Sequence, residues 1–331
     1  MNDQGWKSQM KTMPSTYQVI KEHGLTKNLE ELDSYGLTVI TPEQIGDPGL
    51  LEQCRGAVLR IAEERTGVKH DLETGTHGTL DNSATSEHQY LMLAILEDDP
   101  VFEKIIQHPM TLPLVEHYLG PTCLLSSLDA FIKWQHPEGN PNLGLHSDDH
   151  LFQGTYLPDP PQCFNTNWIL TDYTKANGAF CVVPGTHKLR RRPQPGEGVD
   201  DAVPVEAPAG SVLVFHGNVW HGAFPRENPG LRISLSLFYG AFHYRVQENF
   251  QGRISDEMLA RNGERFRKLL NLEDVWAYED RRGALPWRER ATEKTWSCLF
   301  EEPVTINGQQ YRIVNDTTNQ DHMYLNYVPV R

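Results

Sequence analysis

The spacing of apolar residues changes near residue 120. Before that point it is mostly helical, and after it short apolar segments alternate with turn residues, which is typical of strands. The pattern predicts helices over 51–65, 100–108 and 111–119, after a strand over 36–40. It predicts strands over 124–135, 165–172, 179–183, 211–215 and 231–239. Helices followed by strands, without regular alternation, predict an α+β fold that is mainly β, or a barrel with a helical flank.

The last predicted strand has the clearest two-sided pattern. From Leu231 to Leu237 aliphatic and polar residues alternate strictly, so one face packs on an apolar layer and the other presents Arg232, Ser234 and Ser236. An ordinary amphipathic strand that faces water has the same pattern. In the segment 129–135, the same two-residue period places Lys133 on one face with Asp129 and Phe131.

The sequence contains no internal repeat and no Gly/Ser linker, so we expect residues 1–331 to form a single domain. Within it we distinguish a helical flank with the first strand (1–120), a β-rich core (121–243) and a C-terminal extension (244–331). The extension contains a helical pattern over 255–270 and a tryptophan-bearing segment from Trp276 to Trp296. Such a segment anchors the extension to the core or mediates association into a homo-oligomer.

Composition and charge exclude several classes of protein. The apolar content of 38% is that of a globular protein, and a net charge of -14 disfavours binding to nucleic acid or to an anionic membrane surface. The apolar runs are too short to span a bilayer, and the N-terminus does not resemble a secretory signal. Five cysteines without a CxxC pair are typical of reduced thiols. We therefore expect a cytoplasmic protein.

Three residues form a candidate metal site. His146 and Asp148 are two positions apart in an extended segment and therefore point to the same side. His221 offers a third ligand, and two imidazoles with one carboxylate form the facial triad of non-haem iron(II), which leaves coordination positions open. Arg232 follows His221 by eleven residues on the alternating strand. Its guanidinium can bind the distal carboxylate of a dicarboxylate cosubstrate through two parallel hydrogen bonds.

With these residues in place, the sequence resembles the phytanoyl-CoA dioxygenase family of iron(II)- and 2-oxoglutarate-dependent oxygenases. The resemblance covers roughly residues 120 to 243, and its most specific part is the block from Asn177 to Lys188. The matching stretches are HSD (146–148), WILTD (168–172), NGAFCVVPGTHK (177–188), WHG (220–222) and RIS (232–234).

The resemblance implies a double-stranded β-helix, a jelly roll of the cupin type, over residues 121–243. It also implies that His146, Asp148 and His221 bind Fe(II) and that Arg232, with Ser234, holds the 5-carboxylate of 2-oxoglutarate. O2 is the second cosubstrate, and ascorbate is a candidate reductant. Because Asp148 is retained where related halogenases have a small residue, halogenation is disfavoured. At Ala223 some family members carry a hydroxyl residue that contacts the cosubstrate, so here Ser234 must replace that contact or it is missing.

Several neighbouring residues leave alternatives open. Asp149 or His150 would replace a ligand if the strand were shifted by one residue, and His216 is an alternative to His221 that lacks the interval to Arg232. His187 is expected to stabilise a loop. Lys133 either contacts the cosubstrate or substrate, or lies at the surface.

Two further features are equally ambiguous. Trp168 either forms a wall of the keto-acid pocket or fills the core. The basic run from Arg190 to Arg192 either meets the phosphates of a coenzyme A thioester or is simply solvated.

The sequence therefore predicts an Fe(II)/2-oxoglutarate-dependent dioxygenase that hydroxylates an unactivated C–H of a small organic molecule. Two rivals remain: the same scaffold catalysing desaturation or cyclisation, and a non-catalytic cupin-like binding protein. The identity of the substrate is open.

Overall fold

The computed structural model describes residues 16–78, 80, 85–86, 88–149, 156–272, 304–315 and 325–329. Contacts between Cα atoms group Thr16–Leu272 into one compact unit, and Met1–Ser15 with Glu273–Arg331 into another. The predicted organisation of residues 1–331 as one catalytic domain stays a prediction.

Helices predominate in the first part of the larger unit. The α-helices are α1 (Thr16–Glu22), α2 (Thr26–Tyr35), α3 (Pro42–Ile45), α4 (Pro48–Thr66), α5 (Pro100–Ile105), α6 (Leu112–Leu119), α7 (Asp256–Arg261) and α8 (Glu264–Leu269). Helix α4 begins after Asp47, whose side chain accepts a hydrogen bond from the Gly49 amide, and ends at Gly67 in the left-handed conformation. Its buried residues, among them Val58 and Ile61, belong to the main hydrophobic core.

The strands of this unit form two principal antiparallel sheets. They are β1 (Leu37–Ile40), β2 (Lys69–Asp71), β3 (Gly75–His77), β4 (Thr85–Ser86), β5 (Gln89–Met92), β6 (Leu124–Lys133), β7 (Cys163–Ile169), β8 (Phe180–Val183), β9 (Val203–Pro204), β10 (Val212–His216), β11 (Trp220–Ala223) and β12 (Arg232–Gly240). The major sheet has the order β1-β10-β7-β12-β6-β5-β4, and the minor sheet has the order β11-β8-β9. Strands β2 and β3 form a separate hairpin.

The major sheet packs against apolar residues on both faces. One face of β12 presents Ile233, Leu235 and Leu237 to the core that also contains residues of the helices. The other face is directed towards the minor sheet. The ring of Phe215, on β10 of the major sheet, lies with its centroid 4.9 Å from that of Phe180, on β8 of the minor sheet. Two antiparallel sheets that face each other beside a helical layer confirm the predicted α+β, mainly β, double-stranded β-helix.

The elements differ from the predicted ones mainly at segment ends and in short strands. The predicted strand 165–172 is found at Cys163–Ile169 and is buried on both faces. The predicted helical stretch 255–270 is interrupted between α7 and α8 by the extended residues Asn262 and Gly263. The sequence pattern did not predict helices α1 to α3 or the strands β2 to β5 and β9; apart from the ten-residue α2, each is at most seven residues long.

The described part of the smaller unit is one antiparallel sheet. Its strands are β13 (Val304–Ile306), β14 (Gln309–Asn315) and β15 (Leu325–Pro329), in sequential order. The predicted tryptophan-bearing segment from Trp276 to Trp296 lies outside the described residues. Self-association through the C-terminal extension therefore stays a prediction.

None of the helices within the described ranges has the length and apolar character needed to cross a bilayer.

The packing of β12 gives a first prediction. Leu235 is 0% exposed at the interface between sheet and helices. Leu235→Ala should lower the free energy of unfolding by about 2–5 kcal/mol, because it removes buried methyl groups and leaves a cavity. Chemical denaturation measures the loss, and Leu189→Ala, at a side chain that is 48% exposed, should change it by less than about 0.5 kcal/mol. Equal effects of the two substitutions would contradict this packing.

Candidate metal and cosubstrate site

Backbone pairing brings the three candidate ligands together. The amide of His146 donates to the carbonyl of His221 at 3.0 Å, and the amide of His221 donates to the carbonyl of His146 at 3.0 Å. The Asp148 amide donates to the Gly217 carbonyl at 2.7 Å. Residues 146–148 thus run along the edge of the minor sheet beside β11, in the extended conformation that the HxD spacing requires.

The side chains converge on one point. His146 Nε2 is 3.3 Å from Asp148 Oδ1, and His221 Nε2 is 3.4 Å from Asp148 Oδ2. One ligand atom of each residue lies within 4.8 Å of the others. The Nδ1 atoms pair with backbone carbonyls, His146 with Gly144 at 2.7 Å and His221 with Val219 at 2.9 Å. Both rings therefore carry the proton on Nδ1 and direct Nε2 towards the shared point.

The surroundings of the three side chains are unequal. The ring of His221 stacks on Phe180 at 5.1 Å between centroids and meets the Phe215 ring at 4.9 Å. Burial in this apolar contact lowers the pKa of His221 to about 4, so the imidazole is neutral, as a metal ligand must be. The side chain of His146 is 55% exposed. Asn165 Nδ2 donates to Asp148 Oδ2 at 2.7 Å and orients the carboxylate.

A glycine in β11 permits the close approach of the His146 segment. A Cβ atom at Gly222 would lie 2.2 Å from the carbonyl oxygen of Leu143, far inside van der Waals contact. Any side chain at residue 222 would therefore push the segment leading to His146 away from His221.

Two cations on neighbouring strands form the second part of the site. Arg232 on β12 lies directly opposite Lys133 on β6 in the antiparallel register. Arg232 is 3% exposed, its guanidinium carbon is 4.7 Å from the centroid of the Tyr173 ring, and its Nε has no hydrogen-bond partner. The hydroxyl of Ser234, on the same face and 0% exposed, is also unpaired. In the part of the chain that the structure describes, no carboxylate pairs with either cation.

The proximity of the two cations affects Lys133. Burial and the charge of Arg232 lower its pKa to about 7. Like charges that face each other across two strands repel, and a buried charge without a partner is unfavourable. A carboxylate placed between these side chains would remove both penalties.

A cavity of about 720 Å³ connects the two parts of the site. Its walls include the three candidate ligands, the two cations and Ser234. It also contains polar residues that sequence reasoning did not assign, Asn165 and Asn167 on β7 and Asp129 on β6. Only Asp129 had a usable signal, since it shares a strand face with Lys133.

Comparison with known proteins establishes the family. Residues 32–234 match the family model for phytanoyl-CoA dioxygenase (PhyH). The chain belongs to the phytanoyl-CoA dioxygenase family. The resemblance found in the sequence motifs is thereby confirmed.

Two curated relatives of this chain are dioxygenases by name. Dioxygenase af480 of Aspergillus fumigatus is 31% identical over 54% of this chain and 57% of its own length. Phytanoyl-CoA dioxygenase 1 of Oryza sativa is 30% identical over 44% of this chain and 54% of its own length. This chain thus spans little more than half the length of these two relatives.

A solved structure shares the fold. HygX from Streptomyces hygroscopicus, with nickel and 2-oxoglutarate bound, is 18% identical, with a TM-score of 0.51, and the match covers 70% of this chain and 92% of HygX. Because the identity is only 18%, this similarity shows that the two proteins share a fold and nothing more.

The structure separates Trp168 from the cavity and corrects the expectation that it contacts the cosubstrate. On β7, Phe164, Thr166 and Trp168 alternate with Asn165 and Asn167, which face the cavity. Trp168 is 4% exposed in the main core, where its ring meets His108 edge-on at 5.2 Å. Trp168 therefore lies where the second interpretation of the sequence put it, in the hydrophobic core.

The rival ligands Asp149 and His216 form hydrogen bonds away from the three converging side chains. The Asp149 carboxylate accepts a hydrogen bond from the Gln162 amide at 3.2 Å, and His150 lies outside the described residues. His216 Nδ1 accepts from the Asn218 amide at 3.0 Å, and burial lowers the pKa of His216 to about 3. His187 contacts the Asp33 carbonyl through Nε2 at 3.3 Å, a structural bond of the kind expected for it.

The basic run is bound within the protein. Arg190 donates to the Leu157 carbonyl, Arg192 donates to the Asp149 carbonyl, and Arg191 forms two hydrogen bonds with Glu197 at 2.8 and 2.6 Å. Arg191 also lies over the Trp220 ring at 4.8 Å. All three guanidinium groups therefore have hydrogen-bond partners within the protein, and contact with a substrate phosphate stays an untested alternative.

Gly222 gives the prediction for this site. Gly222→Ala should lower the free energy of unfolding by about 1–3 kcal/mol, because the added methyl group clashes with backbone, and it should weaken binding of Mn(II) by displacing His146. Gly56→Ala is the control, since a Cβ there meets nothing within 4 Å and alanine favours the helix by about 0.5–1 kcal/mol. Denaturation and calorimetric metal titration measure the two effects. Unchanged stability and Mn(II) affinity in Gly222→Ala would contradict the close approach.

Proposed function

We propose that this chain is an Fe(II)- and 2-oxoglutarate-dependent dioxygenase that hydroxylates an unactivated C–H of a small organic molecule, with decarboxylation of 2-oxoglutarate to succinate. One observation carries the proposal: ligand atoms of His146, Asp148 and His221 lie within 4.8 Å of one another in a cavity that also contains unpaired cations. Membership of a family of dioxygenases supports it.

The donor set fits iron(II). Two neutral imidazoles and a carboxylate on one side of an ion form the 2-His-1-carboxylate arrangement of non-haem iron oxygenases, which leaves positions for cosubstrate and dioxygen. The Nδ1 contacts with backbone carbonyls and the Asn165 contact with Asp148 pre-orient the three donors. We assign His146, Asp148 and His221 as the metal ligands.

The cationic end fits 2-oxoglutarate. A buried guanidinium without a carboxylate partner is unfavourable unless an anion completes the site, and a carboxylate can accept two parallel bonds from it. We assign Arg232 to the 5-carboxylate of 2-oxoglutarate, with Lys133 as a second cation and the unpaired Ser234 hydroxyl as a further donor. This assignment makes Ser234 the replacement for the contact that Ala223 cannot make.

Iron and the keto acid, when bound, supply the oxidising chemistry that the side chains cannot perform. The protein positions and shields the reactants. Phe180 and Phe215 exclude water from the His221 side of the metal. The Arg232 end fixes the direction in which the keto acid enters, and the remaining volume of the cavity holds the substrate beside the metal.

The rival functions are less well supported. Desaturation and cyclisation use the same ligands, and no contact in the described residues favours them over hydroxylation. A non-catalytic binding protein would not require a preformed triad beside a carboxylate site.

We place the enzyme in the cytoplasm. Cys54, Cys123, Cys163 and Cys181 are all buried and unpaired by disulfides, which supports a reducing compartment. Its partner is a small-molecule substrate, and the net charge of -14 argues against nucleic acid.

The test is succinate formation from 2-oxoglutarate in the presence of Fe(II), O2 and ascorbate, with a panel of lipids, acyl thioesters, amino acids and terpenoids read by mass gain of one oxygen. We expect EDTA to abolish the turnover. His221→Ala should abolish the turnover as well, because only two of the three metal ligands would remain. Near-UV circular dichroism should show that the fold is retained. His23→Ala, at an exposed residue outside the cavity, should have no effect. Full turnover by His221→Ala would refute the ligand assignment.

A further prediction concerns Arg232. Arg232→Lys keeps the charge but loses the planar pair of donors, so KM for 2-oxoglutarate should rise by about tenfold or more. Lys133→Met should raise the same constant, and the exposed control Lys188→Met should not. Calorimetry should show unchanged Mn(II) affinity in all three variants. An unchanged KM for Arg232→Lys would exclude it as the anchor of the cosubstrate.

A further inference from the structure

The cavity has an acidic region that the proposed function leaves unused. Asp129 lies on β6, on the same strand face as Lys133 but four residues before it, which is about 13 Å along a strand. The cosubstrate end of the cavity is therefore cationic and the region around Asp129 is anionic. Phe131 lies between the two charged residues on the same face.

The register of the major sheet relates Asp129 to the candidate metal site. Asp129 is opposite Ser236 on β12, and Ser236 is opposite Asn167 on β7. Two strand spacings place the Cα of Asp129 about 10 Å from that of Asn167. Asn167 is two residues from Asn165, which holds the Asp148 carboxylate. A small molecule of several carbon atoms would span this separation.

The Asp129 carboxylate is only partly satisfied by the protein. Ser127 Oγ donates to Oδ2 at 2.9 Å, whereas Oδ1 has no hydrogen-bond partner. Burial raises the pKa of Asp129 to about 6, against the opposing effects of the Ser127 hydroxyl and the Ala94 amide. A buried carboxylate oxygen without a hydrogen bond is unfavourable, so one further hydrogen-bond donor would stabilise Oδ1 of Asp129.

The nearby cation is already engaged. Arg253 pairs with Glu97 at 2.7 Å and with Glu248 at 3.6 Å. Glu248 Oε1 in turn accepts the Leu128 amide at 2.8 Å, on the residue next to Asp129. Among the described residues no lysine or arginine forms an ion pair with Asp129. A hydrogen-bond donor of a molecule in the cavity would complete the environment of Oδ1.

We propose that Asp129 is a specificity-determining residue, which accepts a hydrogen bond from a hydroxyl or amine of the substrate and so positions another part of that molecule at the metal site. This inference rests on the proposed function and narrows its substrate class to compounds that carry a hydrogen-bond donor several carbon atoms away from the oxidised carbon. The rings of Phe131 and Phe238, which also line the cavity, pack against the apolar part of the substrate.

The test uses the full chain loaded with Zn(II) and 2-oxoglutarate, and three probes of equal length: hexylamine, 1-hexanol and hexanoate. Ligand-observed NMR measures their binding to the parent protein, to Asp129→Asn, to Asp129→Ala and to the exposed control Asp201→Ala. Binding of 2-oxoglutarate to the Fe(II) protein, followed by its visible absorbance under anaerobic conditions, is measured for each variant. That second measurement tests the proposed function independently.

We expect hexylamine or 1-hexanol, but not hexanoate, to bind the parent and Asp201→Ala, and Asp129→Ala to weaken that binding by about tenfold or more. Asparagine retains an acceptor without charge, so loss of binding in Asp129→Asn identifies an amine and retention identifies a hydroxyl. The inference is overturned if neither donor binds the parent, if hexanoate binds equally well, or if Asp129→Ala binds as the parent does. Failure of the parent protein to bind 2-oxoglutarate would instead overturn the proposed function.

Discussion

The candidate site depends on one backbone interaction, the pair of hydrogen bonds between His146 and His221. These residues are more than seventy positions apart in the chain, and neither belongs to a long strand. Since residues opposite each other in such a pair direct their side chains to one face, the bonds fix the relative position of the two imidazoles. The position of Asp148 follows from His146, two residues away. Gly222 allows this pairing by leaving room for the Leu143 carbonyl.

The sequence predicted those parts of the site that have a regular period. The alternation from Leu231 to Leu237 placed Arg232 and Ser234 on one face, and the HxD spacing placed His146 and Asp148 on one side, as found. The sequence left open whether Trp168 lines the keto-acid pocket or fills the core, because every residue of β7 is buried. A strand buried on both faces has no polar alternation to show which side chains face the cavity. The roles of Asn165 and Asp129 depend on strand neighbours that only the sheet order reveals.

The charge distribution in the cavity differs from that of the chain. A protein with a net charge of -14 places two of its cations opposite each other inside the barrel, without a carboxylate partner among the described residues. Folding alone would not favour this arrangement, since burial and repulsion both oppose it. Such a local imbalance is typical of sites shaped by binding. It also gives the cavity a polarity, with anions favoured at one end and hydrogen-bond donors at the other.

The two candidate histidine ligands differ in their exposure to solvent. With its Nδ1 bonded to a carbonyl and its ring between two phenylalanines, His221 is closed to solvent, whereas His146 borders open water. An ion held by the three ligands would therefore be nearer to bulk water on the His146 side than on the His221 side. Because the backbone pair with His221 holds His146 at the edge of the minor sheet, separation of that edge would remove an exposed ligand and leave the buried one in place.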